Sequence, residues 1–295
     1  MNAKERGFLL LTSRLGDPER KPLTVAQFRT LANRVRTMER PIHPRELTGE
    51  DLVALGYDRE TARQILQLLQ QEELLDRYVK QGLRHSCIPI TRVSDAYPPA
   101  VRQRLGLDAP GCLWAKGNVA LLSTQMIALV GSRDLREENR AFAERVGTEA
   151  AKQGITLVSG NARGADRVAQ QACLDAGGNV ISVVADELKR EPVSERILYL
   201  SEEGFDLPFS GPRALSRNRV IHALGYLTLV AQSDLGMGGT WDGTIKNLRQ
   251  RISPVFCFND ESPASKELEQ MGATLVIPRQ LRDFAALRGN MEKFC

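Results

Sequence analysis

The sequence predicts an α/β protein in which a small helical module precedes a doubly wound, mainly parallel sheet. Two observations lead to this prediction. After about residue 86, six short runs are apolar along most of their length, as strands buried on both faces of a sheet must be. Amphipathic segments lie between these runs, and this alternation is typical of a parallel α/β architecture. Right-handed crossovers between the strands would complete a doubly wound sheet.

Residues 1–85 are predicted to form the helical module. The segments 24–38 and 60–82 place their apolar side chains at helical spacing. Between them, Thr48 is followed three residues later by Asp51, which fits a variant of the capping box. A short packing helix is therefore expected to begin after Thr48.

Residues 86–280 are predicted to form the sheet domain. The predicted strands are residues 127–131, 155–160, 179–185, 226–231, 254–258 and 273–277. The helical segments 138–154 and 164–178 each end near a glycine, which suits the position just after a helix C-terminus. Residues 281–295 are predicted to form a C-terminal tail helix.

Composition limits the class of protein. The 295 residues are 42% hydrophobic, so the chain can bury a sizeable core. Lys and Arg number 40 against 36 Asp and Glu, and a net charge of +4 permits a local basic cleft without proving nucleic-acid binding. The five cysteines form no CxxC pair, so no disulfide framework or zinc site is indicated and the cytoplasm is expected. We expect no metal, no cofactor, no signal peptide and no membrane-spanning segment.

The residues after the predicted strands form the candidate site, because ligands of open parallel sheets bind beyond the carboxyl ends of the strands. GSR, residues 131–133, follows the first run, and SGNARGAD, residues 159–166, follows the second. Arg133 and Arg163 each stand in a glycine-flanked turn at a helix entrance. There the helix dipole and free N–H groups add to the guanidinium charge, and this combination suits phosphate. The alternative for each arginine is a solvated surface charge.

A further cluster of donors begins the helix predicted in SRNRVIHALGY, residues 216–226. Arg217, Asn218 and Arg219 together form a strong set of hydrogen-bond donors for an anion. The alternative is a helix start whose charges face water, with Asn218 as a cap. His222 is expected to pack or to lie on the surface, because no nucleophile stands at a recognisable spacing from it.

The glycine-rich stretch GMGGTWDGTIKNL, residues 236–248, follows the fourth run and precedes a helical segment. Glycines in such a place let backbone N–H groups approach a phosphate or another anion. Trp241 is the aromatic residue best placed to stack on a base, and packing is the equally weighted alternative. Asp242 is a candidate cap for the helix that follows.

These motifs resemble the DprA/Smf DNA-processing family. The resemblance rests on GSR, SGNARGAD, SRNRVIHALGYLTLVAQS and the stretch 90–118 with its YPP and LWAKGN elements, all in one order. It covers about residues 86–278. It implies an extended Rossmann-like fold that binds single-stranded DNA in a basic pocket and hands it to a RecA-type recombinase. It also implies a homodimer.

The resemblance identifies candidate DNA-binding or phosphate-binding residues as well. The arginines that match motif positions lining or supporting the pocket are Arg133, Arg163, Arg217 and Arg219. The further candidates are Ser132, Ser159, Gly160, Asn218, Gly238, Gly239 and Thr240. Contacts to phosphates supply affinity without sequence preference, so the residues and the resemblance agree.

Two features depart from that family. Its members commonly end in a winged-helix-like domain, and we expect none in this sequence. Its usual serine-glycine-serine loop is GMGGTWDGT here, which is similar to the GG-x-GT-x-EE signature of LOG-type phosphoribohydrolases. Lys246 and Asn247 stand where that signature has its acidic pair. The loop is therefore predicted to bind an anion without cleaving a glycosidic bond.

Three functions follow from the sequence. The leading one is binding of single-stranded DNA, in aid of recombinase loading or DNA processing, by a protein without catalytic residues. The second is a sensor of a small nucleotide that uses the same cleft, with Trp241 on the base. The third is a LOG-type nucleoside-monophosphate phosphoribohydrolase with Asp242 or Glu187 as the acid.

Overall fold

The computed structural model of the chain describes residues 1–38 and 46–287. Within these residues nine strands form one sheet: β1 (Ile88–Thr91), β2 (Cys112–Gly117), β3 (Met126–Val130), β4 (Thr156–Ser159), β5 (Val180–Val184), β6 (Ile197–Glu202), β7 (Thr228–Val230), β8 (Val255–Phe258) and β9 (Thr274–Val276). Their order across the sheet is β1-β2-β6-β5-β4-β3-β7-β8-β9. β2 pairs antiparallel with β1 and β6, and the other neighbouring strands are parallel. The predicted α/β class with a mainly parallel sheet is confirmed.

The six predicted strands correspond to β3, β4, β5, β7, β8 and β9, with ends that differ by one or two residues. The sequence does not predict β1, β2 and β6, because polar residues or proline interrupt their apolar pattern. β1 contains Pro89, which suits the edge strand that it forms. In β2, the buried Lys116 ammonium donates a hydrogen bond to the backbone oxygen of Lys189 at 2.8 Å. In β6, the buried Glu202 carboxylate pairs with Arg219.

The N-terminal residues are helical, as predicted. The helices are α1 (Ala3–Thr12), α2 (Val25–Arg36), α3 (Gly49–Ala54), α4 (Arg59–Leu69) and α5 (Glu72–Arg84). The sequence does not predict α1, because its consecutive buried residues 8–11 show no helical period. The predicted segment 60–82 is divided between α4 and α5. The capping box of Thr48 and Asp51 is present at the start of α3.

A buried arginine connects two of these helices. The guanidinium of Arg20 donates to the backbone oxygens of Leu10 and Ser13 at the C-terminal end of α1, and it lies 3.4 Å from the oxygen of Leu68 at the end of α4. Gln71 accepts a further hydrogen bond from it at 2.6 Å. Cations stabilise helix C-termini, where backbone oxygens lack partners. Burial lowers the pKa of Arg20 to about 10, so it remains charged at neutral pH.

The helical module shares an apolar core with the sheet domain. The ring of Tyr78 in α5 lies 5.3 Å from Trp114 of β2 and 4.8 Å from Phe205, measured between centroids. A side chain on Gly82 would overlap the Trp114 ring, so glycine permits the close approach of α5 to β2. The boundary at residues 85/86 stays a prediction, but the core is continuous across it.

The remaining helices cover the two faces of the sheet. They are α6 (Pro99–Leu105), α7 (Glu137–Lys152), α8 (Ala165–Asp175), α9 (Gly211–Leu224), α10 (Gly238–Gln250) and α11 (Pro263–Gln270). α7 and α8 pack on one face through residues such as Phe142 and Ala169. α9 and α10 pack on the other through residues such as Val220 and Ile245. From β3 the chain continues through β4, β5 and β6 on one side and returns to β7 on the other, so the topological switch point lies between β3 and β7.

The end of the chain is described only in part. A 3-10 turn, Pro278–Arg282, follows β9, and residues 284–287 are helical. The rest of the predicted tail helix, residues 288–295, lies outside the described residues. In the described part of the chain, no helix has both the length and the apolar character needed to cross a membrane.

Candidate nucleic-acid interface

A cavity of about 480 Å³ lies at the switch point, beyond the carboxyl ends of β3 and β7. Its walls come from the loops after β3, β4 and β7, from the first turns of α8 and α10, and from one side of α9. The location is the one expected for ligands of a doubly wound sheet. Of the predicted site residues, Ser132, Arg133, Arg217, Asn218, Gly238, Gly239 and Thr240 line it.

The turn after β3 is held rigidly. The Ser132 N–H donates to the backbone oxygen of Gln232 at 3.0 Å, and the Ser132 oxygen accepts from the Ala165 N–H at 3.1 Å. The Gln232 side chain accepts from the Arg136 N–H and donates to the Asp134 oxygen, at 2.9 and 3.0 Å. These hydrogen bonds hold both ends of the turn, and they therefore fix the backbone position of Arg133.

Two predicted arginines stand at the mouth of the cavity in different states. Arg133 is exposed, and no carboxylate among the described residues lies within 4 Å of its guanidinium. Arg163 does not line the cavity; it forms an ion pair with Asp134 at 2.8 Å in which both side chains are more than 70% exposed. Exposed pairs of this kind contribute little stability. Arg163 lies next to the cavity through its partner Asp134, which lines it. Because the ion pair is weak, Arg163 can leave Asp134 at little cost in free energy.

Arg217 forms the floor of the cavity. It is 8% exposed, and its nearest ion-pair contact, Nη2 to Asp166 Oδ2, is 3.7 Å. Its Nε has no hydrogen-bond partner. Burial lowers the pKa of Arg217 and raises that of Asp166, and the attraction between the two groups opposes both shifts. The Nε atom itself is covered, but Arg217 borders an open cavity, and a guanidinium in such a place is suited to bind an anion.

Gly160 supports Arg217 from below. A methyl group at position 160 would overlap the guanidinium, so only glycine leaves room for it. Neighbouring Ser159 is buried and accepts a hydrogen bond from Gln170 at 2.7 Å. The structure thus places Gly160 and Ser159 beneath the cavity instead of in its wall.

Two helix N-termini face the cavity. α8 begins after Gly164 and α10 after Met237, and neither N-terminal residue offers a side-chain cap. The Asn218 side chain donates to the Gly239 oxygen at 3.0 Å and ties α10 to α9. The Ala165 N–H donates to Ser132, but the N–H groups that follow it in the first turn have no side-chain cap, and a helix N-terminus carries a partial positive charge. Together with Arg217, this arrangement is chemically suited to one phosphate group.

Comparison with known proteins identifies the family. A family model described as DNA recombination-mediator protein A matches residues 89–284. The chain belongs to this family. The resemblance to the DprA/Smf proteins is therefore confirmed.

Two curated relatives agree. The chain is 32% identical over 189 residues to the DNA processing protein DprA of Streptococcus pneumoniae, a match covering 59% of this chain and 66% of the relative. It is 31% identical over 172 residues to the protein Smf of Escherichia coli, covering 52% of this chain and 43% of the relative. The matches thus span less than two thirds of either relative.

Solved structures of the family share the fold. DprA from Streptococcus pneumoniae superposes with a TM-score of 0.71 at 22% identity, covering 95% of this chain and 96% of the other. DNA processing protein A from Helicobacter pylori, whose structure concerns its binding of single-stranded DNA, gives a TM-score of 0.57 at 23% identity. That match covers 70% of this chain and 96% of the other.

Not every residue that matches a family motif reaches the cavity. Arg219 lies on the other side of α9, where its guanidinium pairs with Glu202 at 2.8 Å and donates to the oxygen of Asp108. Trp241 is half-buried and packs against the core beneath α10. The structure therefore brings neither residue to the cavity that contains Arg217.

The acidic candidates for a phosphoribohydrolase are also outside the cavity. Asp242 lies within α10, so the prediction that it caps the helix is wrong; the N-cap is Met237. The carboxylate of Glu187 accepts from Lys189 at 2.7 Å, and this bond lowers its pKa. His222 is buried, and burial lowers its pKa to about 3, so it is a neutral packed residue, as expected.

Sequence reasoning missed other residues that line the cavity. Phe209, Leu215 and Met237 form an apolar rim in which each residue is at least half exposed. Phe209 lies in an irregular stretch after β6, where no periodic pattern marks it. The aspartates Asp134, Asp166 and Asp234 also line the cavity, and their position after strands or in the first turn of α8 was the available signal.

Proposed function

We propose that the chain binds single-stranded DNA in this cavity, without sequence preference, and takes part in DNA processing. The observation that supports the proposal most strongly is the buried Arg217, whose Nε lacks a partner, between the uncapped N-termini of α8 and α10. Membership of the DNA recombination-mediator family and the DNA-binding relative from Helicobacter pylori support the same function.

The cavity suits one nucleotide of a strand. Its volume of about 480 Å³ is within the usual range of small-ligand sites. A backbone phosphate would lie on Arg217 and Arg133, and the adjoining base would lie on the apolar rim. Phe209 thereby takes the stacking role that the sequence suggested for Trp241. Stacking on an aromatic ring accepts any base, so sequence preference is low.

The test is fluorescence anisotropy of a labelled oligonucleotide in a salt series. Arg217→Lys keeps the charge but loses the planar fork, and Arg133→Ala removes the exposed cation. Each is expected to weaken binding by about ten-fold or more, since a charged hydrogen bond contributes about 1.5–3 kcal/mol. Arg133→Ala should also reduce the salt slope by about 0.7. Arg249→Ala, an exposed arginine in the last turn of α10, is the control. Unchanged affinity in both pocket variants would refute the assignment.

The small-nucleotide sensor is the second candidate. The observation that favours it is the size of the cavity, which fits a single nucleotide as well as one unit of a strand. Thermal shifts with a panel of nucleotides test it, because a ligand at 100 times its dissociation constant adds about 2.7 kcal/mol of stability. A large shift with one nucleotide, together with easy displacement of the oligonucleotide, would favour the sensor.

The remaining functional expectations also stay proposals. A RecA-type recombinase and a second copy of the chain are the partners implied by the family resemblance, and β9 is the outermost strand at the end of the sheet available for association. We propose the cytoplasm as the location. Cys87, Cys112, Cys173 and Cys257 are all buried and unpaired, which suits a reducing compartment.

A further inference from the structure

The cavity is unusual for a phosphate site because more carboxylates than cations line it, three against two. Arg133 and Arg217 line it together with Asp134, Asp166 and Asp234. Two of the carboxylates are engaged by arginines: Asp166 by Arg217, and Asp134 by Arg163. Asp234 has no arginine or lysine within 4 Å among the described residues. The site therefore cannot depend on a large excess of positive charge.

The two exposed aspartates stand on either side of the turn that would hold the phosphate. The Ser132 hydroxyl donates to Asp234 Oδ2 at 3.5 Å and accepts from the Asp134 N–H at 3.4 Å. Both carboxylates are exposed at the mouth, whereas Arg217 is buried at the floor. A bound phosphate would therefore have any oxygen that points out of the cavity close to Asp134 and Asp234.

We infer that Asp134 and Asp234 make the cavity selective for phosphodiesters, and so for the interior of a strand over free nucleotides and phosphorylated ends. The inference rests on the proposed function. In a strand, the outward oxygens of the phosphate are ester oxygens without charge, because the chain enters and leaves through the mouth. A monoester presents a third anionic oxygen there and carries nearly two charges at neutral pH.

The size of the effect follows from Coulomb's law. A carboxylate about 6 Å from the additional charge, in a water-like dielectric, opposes it by about a factor of three in affinity. Two such carboxylates give at most about ten-fold, because Arg163 pairs with Asp134 and offsets part of its charge. Arg133 attracts the same charge, so removal of the aspartates measures their contribution more directly than the affinity of the unaltered protein does.

Two ligands of nearly equal size test the inference: thymidine 5′-monophosphate and its methyl ester, which has one ionisable oxygen fewer. Each competes at millimolar concentration with a labelled single-stranded oligonucleotide. At about pH 7.5 we expect the methyl ester to bind at least as tightly as the monoester. In D134N/D234N the ratio of the two affinities should shift toward the monoester by up to about ten-fold. Asp95→Asn, an exposed aspartate outside the cavity, should leave the ratio unchanged.

A change of pH supplies a second readout on the same protein. Near pH 5 the monoester has a single charge, because its second pKa is about 6, so the two ligands should bind alike. Asp166 faces both ligands equally, and His222, a buried residue of α9 that does not line the cavity, has a pKa of about 3 and stays neutral throughout this range. The ratio therefore reports the charge of the ligand.

The outcomes separate this inference from the proposed function. If the oligonucleotide binds but the double variant leaves the ratio unchanged, or neither ligand competes, the selectivity is refuted and DNA binding stands. If the oligonucleotide itself does not bind, the proposed function fails, and the inference fails with it.

Discussion

At the scale of residues, the site depends on groups whose bonding capacity is left unfilled. Arg217 is buried yet keeps a free Nε, and Gly160 leaves the space that its guanidinium occupies. The sequence indicated Arg217 because it stands in a motif, and in the structure Arg217 lines the cavity. It could not show that Arg163 and Arg219 have carboxylate partners, since Asp134 and Glu202 lie 29 and 17 residues away.

The proposed stacking of a base on Phe209 can be tested at this scale. Phe209→Ala should weaken binding of single-stranded DNA by about 1–3 kcal/mol, the contribution of one stacked base. The melting temperature of this variant should hardly differ from that of the unaltered protein, because the Phe209 side chain is 54% exposed. Phe209→Trp should retain affinity. Trp241→Phe is the matched control and should not alter binding, since Trp241 packs against the core. Anisotropy and thermal melts measure both properties; equal affinity of Phe209→Ala and the unaltered protein would contradict the stacking role.

At the scale of elements, the orientation of α9 determines which of its motif residues face the cavity. Residues two apart on a helix point in different directions, so Arg217 faces the cavity while Arg219 faces Glu202. The sequence placed both on one helix, but the phase of that helix depends on its packing against the sheet. Likewise α10 begins at Gly238, earlier than the sequence indicated, which turns Trp241 and Asp242 away from the cavity that contains Arg217.

The contact between α9 and α10 should make stability depend on pH. His222 Nδ1 lies 3.2 Å from both Thr228 Oγ1 and Asn247 Nδ2, and burial lowers its pKa from 6.5 to about 3. The unfolded chain takes up this proton below about pH 6.5, whereas the folded chain does not until about pH 3. The free energy of unfolding should therefore decrease as the pH is lowered. This group alone should lower it by about 2 kcal/mol between pH 7 and pH 5.

Urea unfolding at several pH values checks this prediction. His222→Gln removes the titrating group, so the difference in unfolding free energy between this variant and the unaltered protein should shrink as the pH falls. Buried Asp166 and Glu202, whose pKa values are raised, titrate in both proteins and cancel in the difference. A constant difference across the range would show that His222 is protonated alike in both states.

At the scale of the whole molecule, the helical module shares an apolar core with residues of β2, β5 and β6. The sequence predicted the two parts from their patterns, and the fold of each is confirmed. It could not predict their union, because the aromatic contacts of Tyr78, Trp114 and Phe205 join residues far apart in the chain. The strands with interrupted patterns, β1, β2 and β6, lie on that side of the sheet.

This shared core predicts cooperative unfolding. Arg20→Ala leaves buried helix-end oxygens without a donor and should cost about 3 kcal/mol. Because the core is continuous, this loss of stability should lower the midpoint of one unfolding transition of the entire described region. The helical module should not unfold before the rest. In Trp241→Phe, Trp114 is the remaining tryptophan and reports on the junction. Fluorescence and far-UV circular dichroism should give coincident curves; a fluorescence transition that precedes the main dichroism transition would contradict the shared core.

The central claim is that a phosphate of single-stranded DNA binds at Arg217. Nitrogen-proton NMR of the arginine Nε–H groups tests it most directly, with the Arg217 signal assigned by its loss in Arg217→Lys. Saturating single-stranded DNA should shift this signal and slow its exchange with water, because a phosphate gives the Arg217 guanidinium an acceptor. An unmoved Arg217 signal in a protein that has bound the DNA would place the strand elsewhere and contradict the account.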